Sequence, residues 1–259
     1  MSEIREVAPE PIEATESEAF DPEAYEGYAM GDGRGTVRLE AQEVVDEATS
    51  IGPSGRGRPL SEFHARYPRE YLEPRAYATE CPPFGDPADL AKTVNPKFPG
   101  NLGEFASGDP SGEAAQPYTV NCVDCSRAVE ERWRGRSETA AGLVGAGGHA
   151  ADGESVGRFD EWAGEAHARV NIEDVRQRLM EAGHGASVVI AAEGCERDSS
   201  ESSGHAFNVV NYQGEVRVID GQLGRDFAWN PGTGHPMFDR IDFAFVHGWD
   251  AEGRALWSK

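Results

Sequence analysis

Residues 119–136 read TVNCVDCSRAVEERWRGR and place two cysteines, Cys122 and Cys125, at the head of a helical pattern. Apolar residues then recur at helical spacing and predict an amphipathic helix of three turns with a glycine at its end: Val123, Ala128, Val129, Trp133 and Gly135. Two cysteines at this spacing can form half of a zinc site, make a redox pair or include a nucleophile. The choice depends on what the rest of the chain supplies.

Composition limits the classes of function. The chain of 259 residues carries 46 acidic and 24 basic residues, which gives a net charge of −22. A field of that sign repels nucleic acid and anionic membrane surfaces, so neither is expected as a partner. No apolar run approaches the roughly 18 residues that a membrane span needs. Four cysteines in a chain of this length do not make a disulfide scaffold.

The N-terminal residues 1–35 predict a disordered acidic leader. Ten of the eleven charged side chains before Arg34 are acidic and aromatic residues are few, so this segment cannot bury enough apolar surface to offset its ordering entropy. It has neither the basic start nor the apolar stretch of a secretory signal. We expect a solubility tail or an address that a delivery machine reads.

Residues 36–93 predict a proline-rich, irregular wrap or linker. Prolines recur every few residues in its second half and forbid long helices. Aromatic side chains among them indicate that the segment packs onto a neighbouring core: Phe63, Tyr67, Tyr71, Tyr77 and Phe84. Residues 94–259 are expected to form the folded domain.

The pattern of this domain predicts an α+β fold. A flexible connector at 145–158 precedes a second helix, with Asn171 as its N-cap and Gly183 at its end. The apolar stripe of that helix consists of Ile172, Val175, Leu179 and Met180. Strands are predicted at 187–192, 205–211, 215–220 and 240–249. Helices followed by mostly antiparallel strands are typical of the α+β class.

A hairpin at 203–224, SGHAFNVVNYQGEVRVIDGQLG, contains a histidine and an aspartate. With a two-residue turn at 213–214, His205 lies opposite residue 222 and residue 207 lies opposite Asp220. A four-residue turn puts His205 directly opposite Asp220, whereas a three-residue turn separates their faces unless a bulge intervenes. Two of the three registers therefore make them neighbours on one face, although Asp220 could equally be an ordinary turn carboxylate.

This pair favours a nucleophilic cysteine. A thiolate at a helix start is stabilised by unpaired N–H groups and by the helix dipole. A neighbouring histidine can take the thiol proton, and a carboxylate on its other ring nitrogen fixes the tautomer. Cysteine at a helix start, then histidine and aspartate on adjacent strands, is the papain-like arrangement.

These residues also carry a family resemblance. The stretches NCVDCSRAVEERWRG, GHAFNVVN and VIDGQLG resemble the motifs of papain-fold toxin domains, also called toxin glutamine deamidase domains, of polymorphic bacterial toxins and phage-associated proteins. VNPKF at 94–98 is similar to a stretch that leads into such domains, so the resemblance covers roughly residues 94–224. The acidic connector at 143–160 departs from the family pattern. So does Gly221, where the family commonly has proline, and we expect it to loosen the strand end.

The resemblance implies a papain-like fold, with a nucleophile-bearing helix packed on a small antiparallel sheet. It assigns the nucleophile to Cys122, the base to His205 and the orienting acid to Asp220. Two glutamines are rival candidates for the oxyanion hole beside the N–H of Cys122. Gln116 lies six residues before Cys122, and Gln222 shares the face of His205.

Other interpretations of the cysteines stay open. We expect Cys125 to pack in the core, with the role of nucleophile or regulatory disulfide partner as its alternatives. A zinc site would need Cys195 and His205 as further ligands, but Cys195 lies in a polar loop without a second cysteine pair. We expect no metal and no cofactor. The other histidines are expected to be surface or packing residues: His64, His149, His167, His184, His235 and His247.

By the resemblance, the chain is a cysteine-dependent amidohydrolase, a toxin or effector that deamidates glutamine side chains of a target protein through a thioester. A papain-like protease is the nearest chemical rival, because both reactions pass through the same oxyanion. An inactive papain-fold binding module of a phage or delivery particle is the alternative from another class. The implied partners are a protein substrate, a cognate immunity protein and a delivery machine or particle. The resemblance also implies that the protein is made in the cytoplasm without a classical signal peptide and is then exported or injected into a target cell.

Overall fold

The computed structural model describes residues 59–72, 81–96, 116–144, 153–195, 202–229, 241 and 243–257. Its helices are α1 (Leu60–Arg66), α2 (Pro87–Val94), α3 (Cys122–Trp133), α4 (Gly157–Ala163) and α5 (Ile172–Ala182). Its strands are β1 (Ala168–Asn171), β2 (Ser187–Cys195), β3 (Ser202–Tyr212), β4 (Glu215–Asp220), β5 (Arg225–Ala228) and β6 (Phe243–Trp249). The predicted α+β class is confirmed. The predicted leader at 1–35 lies outside the described residues, and the division into three segments stays a prediction.

The six strands form one antiparallel sheet in the order β1-β6-β2-β3-β4-β5. The hairpin of β3 and β4 pairs Tyr212 with Glu215 and Asn208 with Ile219, so its turn has two residues. Both turn residues, Gln213 and Gly214, have positive φ angles of 54° and 90°, which matches the twist of the flanking strands. The observed register is therefore the two-residue one of the three considered above.

Helices cover both faces of the sheet. Along β3, Ala206 and Val210 belong to the core cluster that contains α3, whereas Phe207 and Val209 belong to the cluster that contains α5. This alternation follows from the two-residue period of a strand. The sheet thus holds α3 on one side and α5 on the other.

Helix α3 is buried all round, which corrects the prediction that it is amphipathic. Every residue from Val123 to Trp133 is buried, charged residues included. The charges are matched inside the protein, because Arg127 donates to Asp124 at 2.8 Å and to Glu154 at 2.7 Å. Burying a charge is tolerated only when it is paired and hydrogen-bonded in this way.

The proline-rich region contributes two short helices that pack against α3. Leu60 and Phe63 of α1 and Leu90 of α2 are buried in the same cluster as α3. The helices have seven and eight residues, as expected where prolines recur. Their packing explains how a helix as polar as α3 can be enclosed.

Several local predictions differ from the structure. Met180 is 46% exposed, because the three buried positions of α5 already face the sheet and the next residue points about 100° away from Leu179. The sequence did not predict α1, α2, α4, β1 or β5. The two strands have four residues each, too few for a pattern, and pairing with β6 and β4 stabilises them.

Gly221 lies against α3, and the expectation that it loosens the strand end is wrong. A Cβ atom at this position would lie 2.7 Å from Cγ2 of Val129 and 3.2 Å from Cγ1 of Val94. The missing side chain lets the end of β4 approach the helix that begins with Cys122.

We expect Gly221→Ala to destabilise the protein by about 1–3 kcal/mol, the usual cost of overpacking a core. Thermal melting measures this. Gly157→Ala is the control, because a Cβ there meets only Ser155 Oγ at 3.8 Å. If both variants had the melting temperature of the unsubstituted protein, the close approach at Gly221 would not matter to stability.

Candidate active site

Cys122 is the first residue of α3 and is partly exposed. Asn121 occupies the N-cap position, but its side chain does not cap the helix. Its amide instead donates to the carbonyl of Ala141 at 2.8 Å, and its Oδ1 accepts from Asn95 at 3.3 Å. The N–H groups at a helix start have no partner within the helix. Because the Asn121 side chain does not cap them, they are open to a group that lies beside Cys122.

His205 on β3 and Asp220 at the end of β4 form a pair. Nε2 of His205 lies 2.6 Å from Oδ2 of Asp220. The histidine side chain also makes a hydrogen bond with the side chain of Cys122. Because Nε2 is engaged by Asp220, Nδ1 is the ring nitrogen that faces the thiol. The fold therefore brings together the three residues that the sequence singled out.

Asp220 uses its two oxygens differently. Oδ2 meets His205, while Oδ1 accepts hydrogen bonds from the backbone N–H groups of Gln222 at 3.0 Å and Leu223 at 2.9 Å. The carboxylate is fully buried. It is both a turn carboxylate and the partner of a histidine, and the turn fixes which oxygen points at the ring.

The electrostatics of the pair favour a charged imidazole. Burial by itself lowers the pKa of His205, but the charge and hydrogen bond of Asp220, followed by those of Cys122, raise it to about 10. The ring is therefore protonated below about pH 10.

The other described cysteines lie in different surroundings. Cys125 is fully buried in the core, and burial, with the nearby charge of Asp124, raises its pKa well above the ordinary value. Burial also raises the pKa of Cys81, whose Sγ donates to the carbonyl of Arg132 at 3.0 Å. These surroundings agree with the expected packing role of Cys125. The side chain of Cys195 lies outside the described residues.

We expect iodoacetamide at pH 6 to alkylate Cys122 before any other cysteine. The imidazolium of His205 is present at that pH, since its pKa is raised to about 10, whereas Cys81 and Cys125 remain thiols. Peptide mapping after partial labelling measures the order, and His205→Gln, which removes the charge, should slow labelling of Cys122 by roughly tenfold or more. Faster labelling of Cys125 or Cys195 would contradict the assignment.

The two glutamine candidates are placed differently. Nε2 of Gln222 donates to the carbonyl of Thr119 at 2.7 Å, so this side chain ties the β4–β5 turn to the segment that leads into Cys122. Gln116 begins a short 3-10 helix at Gln116–Tyr118, but its side chain lies outside the described residues.

Three histidines that the sequence left without a role have carboxylate partners. Nε2 of His64 donates to Oδ1 of Asp124 at 2.8 Å, and Asp160 lies 3.0 Å from His167 and 2.9 Å from His247. The sequence predicted only surface or packing roles for these three histidines and did not indicate their carboxylate partners. His64 and Asp124 are 60 residues apart, a separation at which no local pattern signals contact. His149 and His235 lie outside the described residues.

Within the described part of the chain, no group of three metal-ligating side chains is placed to hold a metal ion. The same residues contain no helix that is both long and apolar enough to cross a membrane.

Comparison with known proteins finds a family match for the region around the site. Residues 120–225 match the family model of papain fold toxin 1, glutamine deamidase. None of the curated proteins and none of the solved structures compared with the chain matches it. The matched segment starts two residues before Cys122 and contains His205 and Asp220. The resemblance is thereby confirmed over residues 120–225, which are similar to the papain-fold glutamine deamidase toxins.

Proposed function

We propose that this protein is a cysteine-dependent amidohydrolase that deamidates glutamine side chains of a target protein. In this proposal Cys122 is the nucleophile, His205 transfers protons and Asp220 orients His205. The observation that supports it most is the position of His205, which contacts Asp220 at 2.6 Å through Nε2 and is hydrogen-bonded to Cys122. The family match over residues 120–225 supports glutamine as the substrate residue.

The first half-reaction forms a thioester. The Cys122 thiolate attacks the carbon of the glutamine carboxamide, and the carbonyl electrons move to oxygen to give a tetrahedral oxyanion. When this intermediate collapses, the C–N bond breaks, and the imidazolium of His205 gives its Nδ1 proton to the departing nitrogen, which leaves as ammonia. His205 is then neutral and Asp220 still holds Nε2–H.

The second half-reaction releases glutamic acid, whose carboxyl proton then passes to solvent. Neutral His205 takes a proton from water at Nδ1, and the hydroxide attacks the thioester carbon. Collapse of the second oxyanion breaks the C–S bond and restores the Cys122 thiolate opposite an imidazolium. Both oxyanions need preorganised donors. The N–H of Cys122 is the donor that we assign, because it lies at a helix start that the Asn121 side chain does not cap.

The experiment that tests this activity treats a lysate of candidate target cells with the protein and with Cys122→Ala. Mass spectrometry then counts glutamines converted to glutamates and new peptide termini. Ammonia release with converted glutamines supports deamidation. New termini without conversion would instead show a papain-like protease, and neither product would favour an inactive binding module.

The toxin family also suggests a setting for the reaction. We infer that the protein is exported or injected and meets its protein substrate in a target cell. A cognate immunity protein in the producing cell and a delivery machine or particle are the further partners that this role requires. The acidic leader at 1–35 is the segment that we assign to delivery, since the described catalytic residues all lie downstream of it.

A further inference from the structure

We propose that Asn208 is a positioning residue that sets the separation between Cys122 and His205. The inference rests on the proposed function of those two residues. Asn208 lies on β3 three residues after His205 and is fully buried. Its Nδ2 donates to the backbone carbonyl of Ser126 at 3.0 Å. Ser126 lies on α3, four residues after Cys122.

This hydrogen bond joins the strand of the base to the helix of the nucleophile. It meets α3 about one turn, roughly 6 Å, from Cys122 and meets β3 roughly 10 Å from His205. Ser126 also contacts the first residue of α3, because its Oγ donates to the carbonyl of Cys122 at 3.0 Å. Sliding of α3 along the sheet would break the Asn208 bond and move Cys122 away from Nδ1 of His205.

Stability alone does not account for an asparagine at this position. A carbonyl inside a helix already accepts the helix's own hydrogen bond, so Ser126 does not depend on Asn208. The Oδ1 atom of Asn208 is buried and has no hydrogen-bond partner among the described residues. A buried acceptor without a partner lowers stability, and such violations of packing rules are expected at functional sites.

Asn211 provides a matched control on the same strand. It is also buried, and its Nδ2 donates to the carbonyl of Leu179 in α5 at 2.9 Å. Its Oδ1 is satisfied, because it accepts from the N–H of Gly214 at 2.9 Å. Asn211 thus makes the same kind of strand-to-helix bond, but to a helix that holds none of the three proposed catalytic residues.

The test compares Asn208→Leu with Asn211→Leu in the full chain, because leucine has the branching of asparagine without its polar atoms. The readouts are thermal melting and the rate of Cys122 alkylation by iodoacetamide from pH 5 to pH 9. For Asn208→Leu we expect a melting temperature within about 2 °C of the unsubstituted protein and roughly 10- to 100-fold slower alkylation at pH 6. Asn211→Leu should melt about 4–8 °C lower with an unchanged alkylation profile.

The outcomes separate this inference from the proposed function. If Asn208→Leu keeps the alkylation profile of the unsubstituted protein, or if both variants slow alkylation equally, Asn208 is not a positioning residue. If Cys122 of the unsubstituted protein itself reacts like an ordinary exposed thiol, the proposed catalytic pair fails and this inference fails with it. Should Asn208→Leu not fold, the pair Asn208→Ala and Asn211→Ala is judged by the same criteria.

Discussion

Replacing Cys122 by alanine is expected to abolish ammonia release, with a loss of roughly 10⁴-fold or more in turnover. In the proposed mechanism the thioester forms on the sulfur of Cys122, and we expect no other described cysteine to take its place. Cys125 is one helical turn away, but it is fully buried and its pKa is raised well above the ordinary value. The fold should be unaffected, since Cys122 is partly exposed.

Ammonia release and glutamine conversion in the treated lysate, together with a thermal melt, measure this effect. Cys125→Ala is the matched control, because it removes the second thiol of the same helix. We expect that variant to lose stability through the small cavity it creates but to keep its turnover. A folded Cys122→Ala protein that still released ammonia would show that the nucleophile lies elsewhere.

Asp220→Asn is expected to lower turnover by roughly one to three orders of magnitude while the protein stays folded. The corresponding change in a serine protease triad lowers turnover by about four orders of magnitude. We expect a smaller loss of turnover here because thiols ionise more readily than hydroxyls. The direction follows from the backbone around Asp220. Two N–H groups, of Gln222 and Leu223, point at Oδ1.

Those two N–H donors fix the orientation of the side-chain amide of an asparagine at position 220. Its oxygen must take the place of Oδ1 to accept from them, because an NH₂ group there would leave both donors without an acceptor. The amide NH₂ then faces Nε2 of His205, which has to become an acceptor and carry its proton on Nδ1. With a proton already on Nδ1, the neutral ring cannot take one from Cys122 or from water.

Turnover and Cys122 alkylation from pH 5 to pH 9, measured beside a thermal melt, test this prediction. Asp226→Asn is the control, since Asp226 lies on the neighbouring strand β5 and pairs with Arg217 rather than with a histidine. A folded and fully active Asp220→Asn protein would leave His205 without a needed partner and would contradict the proposed triad.

The parts of the site that the sequence predicted rest on local patterns. Helical spacing after Cys122 indicated the start and end of α3, and the short turn at 213–214 limited the hairpin to a few registers. Because side chains alternate along strands, two of those registers made His205 and Asp220 neighbours. The order of the three residues along the chain then pointed to papain-like chemistry and to the family that residues 120–225 match.

Other features depend on contacts between residues far apart in the chain. The charges of α3 predict an exposed face, yet α1, α2 and the sheet pack around the helix. Its charged residues pair with His64 of α1, with each other and with Glu154. Segments with too few residues for a pattern, such as β1 and β5, became strands only by pairing with β6 and β4. Long-range packing leaves no periodic signal in the sequence.

The sequence by itself determined which residues can do chemistry, because nucleophile, base and acid are recognised by type and by local spacing. Only the tertiary structure decided how they are held. It bonded the Asn208 side chain of β3 to α3, turned the Asn121 side chain away from the helix start and gave each oxygen of Asp220 a different partner. Hydrogen bonds of this kind depend on side-chain positions to within a fraction of an ångström, which are set only when distant segments pack together.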